Sequence, residues 1–365
     1  MDIDLEQFKF RDKKKADDIL KELERANEEI TVMHVCGTHQ DTLVKHGLEP
    51  ILKEVGVDIR QGPGCPVCVT NQKEIEEIIR LAEEGITITA FGDMIHVPGL
   101  NSSLSDAKSE GAKVKIVYGV DDAVKYAENH DEEVVFMSVG FETTTPSIAS
   151  AIINEPPENF SILTCNRVIP PALKLILETG EISLDGLIEP GHVSAIIGTE
   201  PYEPLSKKFH IPQVVAGFEP LDLLLAVLLL VRQKQEGRSE VENEYDRVVK
   251  PEGNLKALKT MEKAFRTKDV EWRGFPTIEN SGLKLIKQFE KYDARKNFED
   301  ILEDVWEKEY DEPEGCLCGE VLRGVVDSEE CPKFAEECTP QNPIGPCMVS
   351  REGGCNIAFR YKRKK

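Results

Sequence analysis

Ile30-Thr31-Val32-Met33-His34-Val35-Cys36-Gly37-Thr38-His39 passes from an apolar, β-branched run straight into a glycine turn that carries a thiol and an imidazole. Such a run suits a buried strand, with Cys36 where the strand ends and a helix beginning near Gln40 or Asp41. In open α/β sheets, ligand sites gather just beyond the carboxyl ends of strands. A cysteine there, with His39 following closely, can act as a metal-ligand pair or as an activated nucleophile. The plain structural alternative is a buried free cysteine beside a turn histidine. A second stretch, Gly62-Pro63-Gly64-Cys65-Pro66-Val67-Cys68, ends another short β-like run and adds two more thiols, which weakens that alternative.

The strand–turn–helix pattern then repeats. Strands are expected at Ile30–Val35, Val57–Arg60, Ile86–Phe91 and Lys113–Tyr118, with helices at Thr42–Val55, Glu74–Glu84 and Ser102–Glu110. A second series has strands at Val134–Val139, Ser161–Cys165, Gly186–Ile188 and Gln213–Ala216, and helices at Pro146–Asn154, Pro171–Glu178 and Pro220–Gln233. Alternation of this kind predicts α/β architecture with parallel sheets. Val139-Gly140-Phe141-Glu142 and Ala216-Gly217-Phe218-Glu219 form a weak internal echo, and Phe91-Gly92-Asp93 resembles both. The expected organisation is two similar α/β domains, 30–119 and 120–236, plus a loop-rich, mainly helical third part made from 1–29 and 237–365. Helices are expected there at Leu255–Thr267 and Leu283–Tyr292.

The chain has 365 residues, a formal charge of -22 and ten cysteines. That acidity argues against nucleic acid and anionic membrane surfaces as partners. Met1–Lys15 is polar rather than signal-like, and the apolar run Leu221–Val231 is too short to span a bilayer. A cytoplasmic location is the expectation. In a reducing compartment, closely spaced cysteines are more often metal ligands or redox catalysts than staples.

Cys65 and Cys68 stand just ahead of a helix whose start is marked by Asn71 and Glu74, a capping-box pair. Helix-terminal N–H groups stabilise thiolates, so this C-x-x-C favours reversible disulfide chemistry over half of a zinc site. Cys316, Cys318, Cys331, Cys338, Cys347 and Cys355 fall in a segment with little apolar periodicity, which a metal or cluster would organise. Four thiolates for an iron–sulfur cluster would leave a pair for disulfide exchange; spacing alone leaves a four-thiolate zinc site open, and the loose gaps match neither a ferredoxin run nor a zinc ribbon. Cys165 reads as a core thiol and His192 as a turn residue. Asp93, Glu142 and Thr143–Thr145 lie at strand ends, where turn and cap chemistry is at least as good a reading as function.

Cys36-Gly37-Thr38-His39, Gly62-Pro63-Gly64-Cys65-Pro66-Val67-Cys68, Gly140-Phe141-Glu142-Thr143-Thr144 and Cys316-x-Cys318…Gly345-Pro346-Cys347-Met348-Val349-Ser350…Cys355 together resemble the HypD family of hydrogenase maturation factors, in order and over nearly the whole chain. Two departures stand out: Gln40 where the family usually has Glu, and His96 where Arg is expected. The resemblance implies two α/β domains and a third with a 4Fe-4S cluster. It implies a scaffold that works with the chaperone HypC, and on which iron acquires two cyanides and one carbon monoxide. HypE would deliver the cyanides, and an electron-donor protein would supply electrons. Cys36 would then be the thiolate ligand of the iron that carries CN and CO, with His39 and Asp93 close by as supporting or proton-handling groups. Cys65 and Cys68 would be the redox pair beside it. By analogy with ferredoxin:thioredoxin reductase, Cys316, Cys331, Cys338 and Cys355 would hold the cluster, and Cys318 and Cys347 would form an adjacent redox pair. The rivals are a stand-alone iron–sulfur thiol–disulfide reductase, which leaves Cys36 and His39 idle, and a zinc-stabilised binding protein, which leaves the C-x-x-C unexplained.

Overall fold

The computed structural model describes residues 12–362, so the reading of Met1–Arg11 lies outside it. Its strands are β1 (Ile30–His34), β2 (Val57–Gln61), β3 (Thr87–Ala90), β4 (Val114–Ile116), β5 (Val134–Gly140), β6 (Phe160–Asn166), β7 (Gly186–Pro190), β8 (Gln213–Ala216), β9 (Val241–Asn243), β10 (Phe265–Glu271) and β11 (Thr277–Leu285). β2-β1-β7-β8-β9 form sheet A and β4-β3-β5-β6 form sheet B, both wholly parallel, while β10 and β11 pair antiparallel. The α/β class with parallel sheets is therefore observed.

The two sheets share a similar inner order but not the expected boundaries. The division at 119/120 cuts through sheet B, separating β4 from β5. β1 and β2 instead join β7, with His34 opposite Ile188, so sheet A is assembled from both ends of the α/β region. Nothing local in a parallel strand names its partner, because crossover connections can be long. The N-terminal helix Lys13–Ala26 also departs from expectation. Its Ile19 and Leu23 pack with Leu223, Val227 and Leu230 of the helix Pro220–Glu236 on sheet A, not with the C-terminal region.

Strand periodicity explains the layers. On β1, Ile30 and Val32 face the helices Lys13–Ala26 and Pro220–Glu236, while Met33 joins the core shared with Ile88, Val135 and Leu163 of sheet B. Successive side chains point to opposite faces, so each strand feeds two cores. The third core joins the outer face of sheet B, through Phe136, Phe160 and Ile162, to Phe265, Leu283 and Leu285 of the hairpin.

Several helices shift in detail. Thr42–Val55 divides into Gly37–Lys45 and Leu48–Glu54 at Gly47, whose φ of +65° favours glycine. The helix expected over Leu255–Thr267 stops at Ala264, and β10 follows. Leu283–Tyr292 is the end of β11 and a short 3-10 turn rather than an α-helix. The polar alternation of Phe265–Glu271 marks a strand with one covered face. No helix among the described residues is long and apolar enough to cross a membrane.

Candidate functional site

Cys36 is the N-cap of the helix Gly37–Lys45, and extended backbone there turns β1 directly into the helix. The helix thus starts earlier than Gln40. Burial pushes the Cys36 thiol up to about 12; the Thr38 and His39 backbone groups and the Thr38 hydroxyl pull the other way, and less strongly. Its Sγ lies 3.8 Å from His192 Nδ1. His192 follows β7, the strand paired with β1, so sheet register brings the two loops together. The sequence placed His192 in a turn but offered no signal that the turn lies beside Cys36.

His39 is fully buried, and neither ring nitrogen makes a full hydrogen bond, although the Ala216 and Gly217 backbone acts on the ring and opposes its loss of charge. Burial and the neighbouring His34 and His192 keep it well below the usual imidazole range, so it is neutral. Phe218 fills the space between the rings of His39 and His192, with centroids 5.4 Å and 5.3 Å away. The Gly-Phe-Glu echo therefore has physical content. Phe218 follows β8 in sheet A and braces two histidines, while Phe141 follows β5 in sheet B and stacks on Trp272. Gln40 accepts from His34 Nε2 at 2.7 Å and donates to Glu49 Oε1 at 2.9 Å. A carboxylate at position 40 could not make that donation and would face Glu49 directly.

The C-x-x-C sits against this turn. Gly37 N donates to Gly64 O at 3.3 Å, and a Cβ on Gly64 would come within 2.2 Å of Cys36 N. Cys65 and Cys68 are joined in a disulfide and are fully buried. The helix Pro66–Val69 holds them, and Asn71 and Glu74 form the capping box of the next helix, Gln72–Glu83. Asp93 accepts from Ser350 Oγ at 3.1 Å, and Ser350 also accepts from Glu352 N at 3.3 Å. Glu352 packs on Gly37, and its carboxyl is raised by burial and by Asp93. The sequence missed Glu352, since an acidic residue in a loop carries no distinguishing pattern. His96 is exposed and takes no part.

The six C-terminal cysteines converge. Cys318 is close enough to Cys316 and Cys347, and Cys347 to Cys355, for their thiols to act on one another. Cys331 acts electrostatically on Cys316, and Cys338 feels Cys355 and Cys318. The neighbouring thiols and Arg273 hold Cys318 well below the usual thiol range against its burial, while Cys347 is pushed up. Among the described residues no group of three or more His, Cys, Asp or Glu side chains is placed to hold a metal ion. The helix Pro346–Val349, which carries Cys347, contacts the helix Pro66–Val69 of the disulfide. Cys165 stands apart, buried 4.0 Å from Arg295.

Fold and site define a two-sheet α/β protein that concentrates nine of its ten cysteines around one strand end and one adjoining loop region. Residues 12–362 match the HypD family, described as the hydrogenase formation hypA family. A Methanocaldococcus jannaschii chain named for hydrogenase expression and formation is 45% identical over 354 residues, covering 96% of this chain and 97% of that one. The hydrogenase maturation factor HypD2 of Bradyrhizobium diazoefficiens is 44% identical over 345 residues, covering 91% of this chain and 89% of its own. The HypD of Escherichia coli is 40% identical over 346 residues, covering 93% and 91%. The chain belongs to the HypD family of hydrogenase maturation factors.

Proposed function

We propose that this chain is the scaffold on which an iron unit bearing two cyanides and one carbon monoxide is assembled for a hydrogenase. HypC joins it as chaperone, HypE delivers cyanide, and an electron-donor protein supplies electrons. The carrying observation is Cys36, a buried thiol at a strand end, with His192 Nδ1 3.8 Å away. A soft thiolate suits low-spin iron. Burial keeps the thiol protonated until a cation arrives, so binding of the cargo and loss of the proton are one event. His192 Nδ1 is placed to accept that proton. His39, with both nitrogens unpartnered, can donate to a ligand carried by the iron. Asp93, Ser350 and Glu352 form the polar side of the same turn.

The donor chemistry of the C-terminal loops fits a resident 4Fe-4S cluster, because six thiols meet in a segment otherwise held by turns. A cluster spreads its thiolates over several irons, so they need not meet at one point. Cys316, Cys331, Cys338 and Cys355 would hold it, and when bound it would supply single electrons. Cys318 and Cys347 remain as a neighbouring pair beside the helix of the Cys65–Cys68 disulfide. A stand-alone disulfide reductase would use the same thiols but gives Cys36, His39 and His192 no task.

The test is an infrared spectrum of anaerobically purified protein with its HypC partner. Cyanide and carbonyl stretching bands are expected in the wild type and should vanish in Cys36→Ala. Bands that persist in Cys36→Ala would remove Cys36 as the ligand. A brown protein without such bands in any preparation would favour the reductase.

A further inference from the structure

The short loop joining β10 to β11, Trp272-Arg273-Gly274-Phe275, touches both redox regions, although neither sequence motif includes it. Arg273 is 2% exposed. Its backbone N–H donates to Val69 O at 3.0 Å and its Nε to Thr70 O at 3.1 Å, closing the end of the C-x-x-C helix. Its Nη2 donates to Gln72 Oε1 at 2.7 Å and its Nη1 to Glu312 Oε2 at 2.8 Å, in the strand-free segment that leads into Cys316. Gly274, at φ +76°, turns the loop so tightly that a Cβ there would lie 2.4 Å from Gly319 Cα, next to Cys318. Trp272 anchors the loop from behind, through Nε1 to Ser281 Oγ at 2.9 Å and by stacking on Phe141. One planar guanidinium thus spans the exit of the disulfide helix and the entrance to the C-terminal thiols. Lysine could not replace this fork, since it carries a point charge without fixed donor directions.

Access sharpens the point. Cys65 and Cys68 are both 0% exposed, whereas Cys316 is the one free cysteine among the described residues that is not buried. A reductant from solvent meets Cys316 first, two residues from the 3% exposed Cys318, and cannot touch the Cys65–Cys68 disulfide without an opening of the fold.

We propose that Arg273 is the positioning residue that holds the Cys65–Cys68 helix in register with Cys318 and Cys347 for internal thiol–disulfide exchange. In that exchange the Cys65–Cys68 bond breaks as a Cys318–Cys347 bond forms. The two electrons that reduce the first pair come from the second, and the two thiol protons move the same way. An external dithiol then reduces the Cys318–Cys347 bond again. This role rests on the redox assignment of those two pairs made above.

The experiment follows reduction of Cys65–Cys68 by dithiothreitol in anaerobic full-length protein, with alkylation of free thiols and peptide mass mapping over time. Misalignment of reacting groups by about an ångström costs up to about a hundredfold in rate. Arg273→Gln and Arg273→Lys are expected to slow reduction by about tenfold or more, and Cys347→Ser by a similar factor. A merely structural arginine predicts the opposite sign, because a loosened fold exposes the disulfide and speeds its reduction. Reduction in the Arg273 variants as fast as, or faster than, in the wild type overturns the inference. If Cys347→Ser also leaves the rate unchanged, the internal route itself is absent and the redox assignment falls with it. If Cys347→Ser slows it and the Arg273 variants do not, only the role of Arg273 falls.

Discussion

Cys36 and Cys318 are both buried thiols, yet their surroundings push them in opposite directions. Around Cys36 are strand ends, an apolar wall and three neutral histidines, and burial raises it to about 12. Around Cys318 are other thiols and the Arg273 guanidinium, and they lower it against the same desolvation. The difference is in what each place can do unaided. A dry, rigid turn keeps its thiol neutral, while among the C-terminal thiols the charge is drawn to Cys318 as its neighbours Cys316 and Cys347 are pushed up.

The largest effect that would break this contrast is one of pH. Glu189 follows Ile188 on the strand paired with β1, and neither of its carboxyl oxygens has a partner. Burial raises it to about 8, and Glu142, with one oxygen unpartnered, to about 7. The folded chain therefore keeps protons that the unfolded chain releases above the ordinary carboxyl value of 4.5. The contribution of these two groups to stability should fall as pH rises from there and level off beyond the folded values, with a slope of up to about 1.4 kcal/mol per pH unit for each; the buried His34, His39 and His192 contribute the opposite slope up to 6.5, so the net decline is expected above that value. Urea unfolding at a series of pH values checks this, and Glu189→Gln should flatten the decline. An unchanged slope in that variant would mean that Glu189 is already ionised in the fold.

Next in size is a steric comparison of the two regions. A Cβ on Gly64 would meet backbone, 2.2 Å from Cys36 N and 2.3 Å from Val35 C, so Gly64→Ala should cost about 3 kcal/mol in denaturant unfolding. The matching change in the loops is milder. At Gly345 the added atom would meet the sulfurs of Cys318 and Cys316, at 3.3 Å and 3.5 Å. These side chains can yield by a few tenths of an ångström, and Gly345→Ala should cost less than about 1 kcal/mol. Equal penalties would deny the difference in rigidity. Between the two lies His39. Burial costs this polar ring more than the Ala216 and Gly217 backbone returns, so His39→Phe should stabilise the chain by about 1 kcal/mol in thermal unfolding. A destabilised His39→Phe would show that the Ala216 and Gly217 backbone outweighs the cost of burying the ring.

The strand-end turns were legible because their signals are local. An apolar run meeting Cys36-Gly37, the Asn71 and Glu74 cap, and the apolar stretch of Pro220–Glu236 each speak for themselves. What escaped was pairing. No residue in β1 says that its neighbour is β7, so neither the makeup of sheet A nor the approach of His192 to Cys36 could be read in advance. The β10–β11 hairpin escaped for a different reason. Its polar, charged face weakens the alternation, and the turn at Arg273-Gly274 depends on contacts with distant segments. Glu352 and Arg273 show the same limit, since single charged residues acquire meaning only from what the fold places beside them.

The order in which sheet A is threaded bears on how the protein is made. Thr31, at the start of the strand that leads to Cys36, is held by Asp185, 154 residues further along the chain. During synthesis β1 and β2 leave the ribosome early, and the whole of sheet B is made before β7 arrives to complete their sheet. The C-terminal loops that touch Gly37 come later still. An unfinished chain therefore exposes Cys36 without His192 or Glu352 beside it. On the assignment of Cys36 proposed above, loading would be confined to the finished molecule, and a prematurely terminated one would have no pocket in which to trap the cargo.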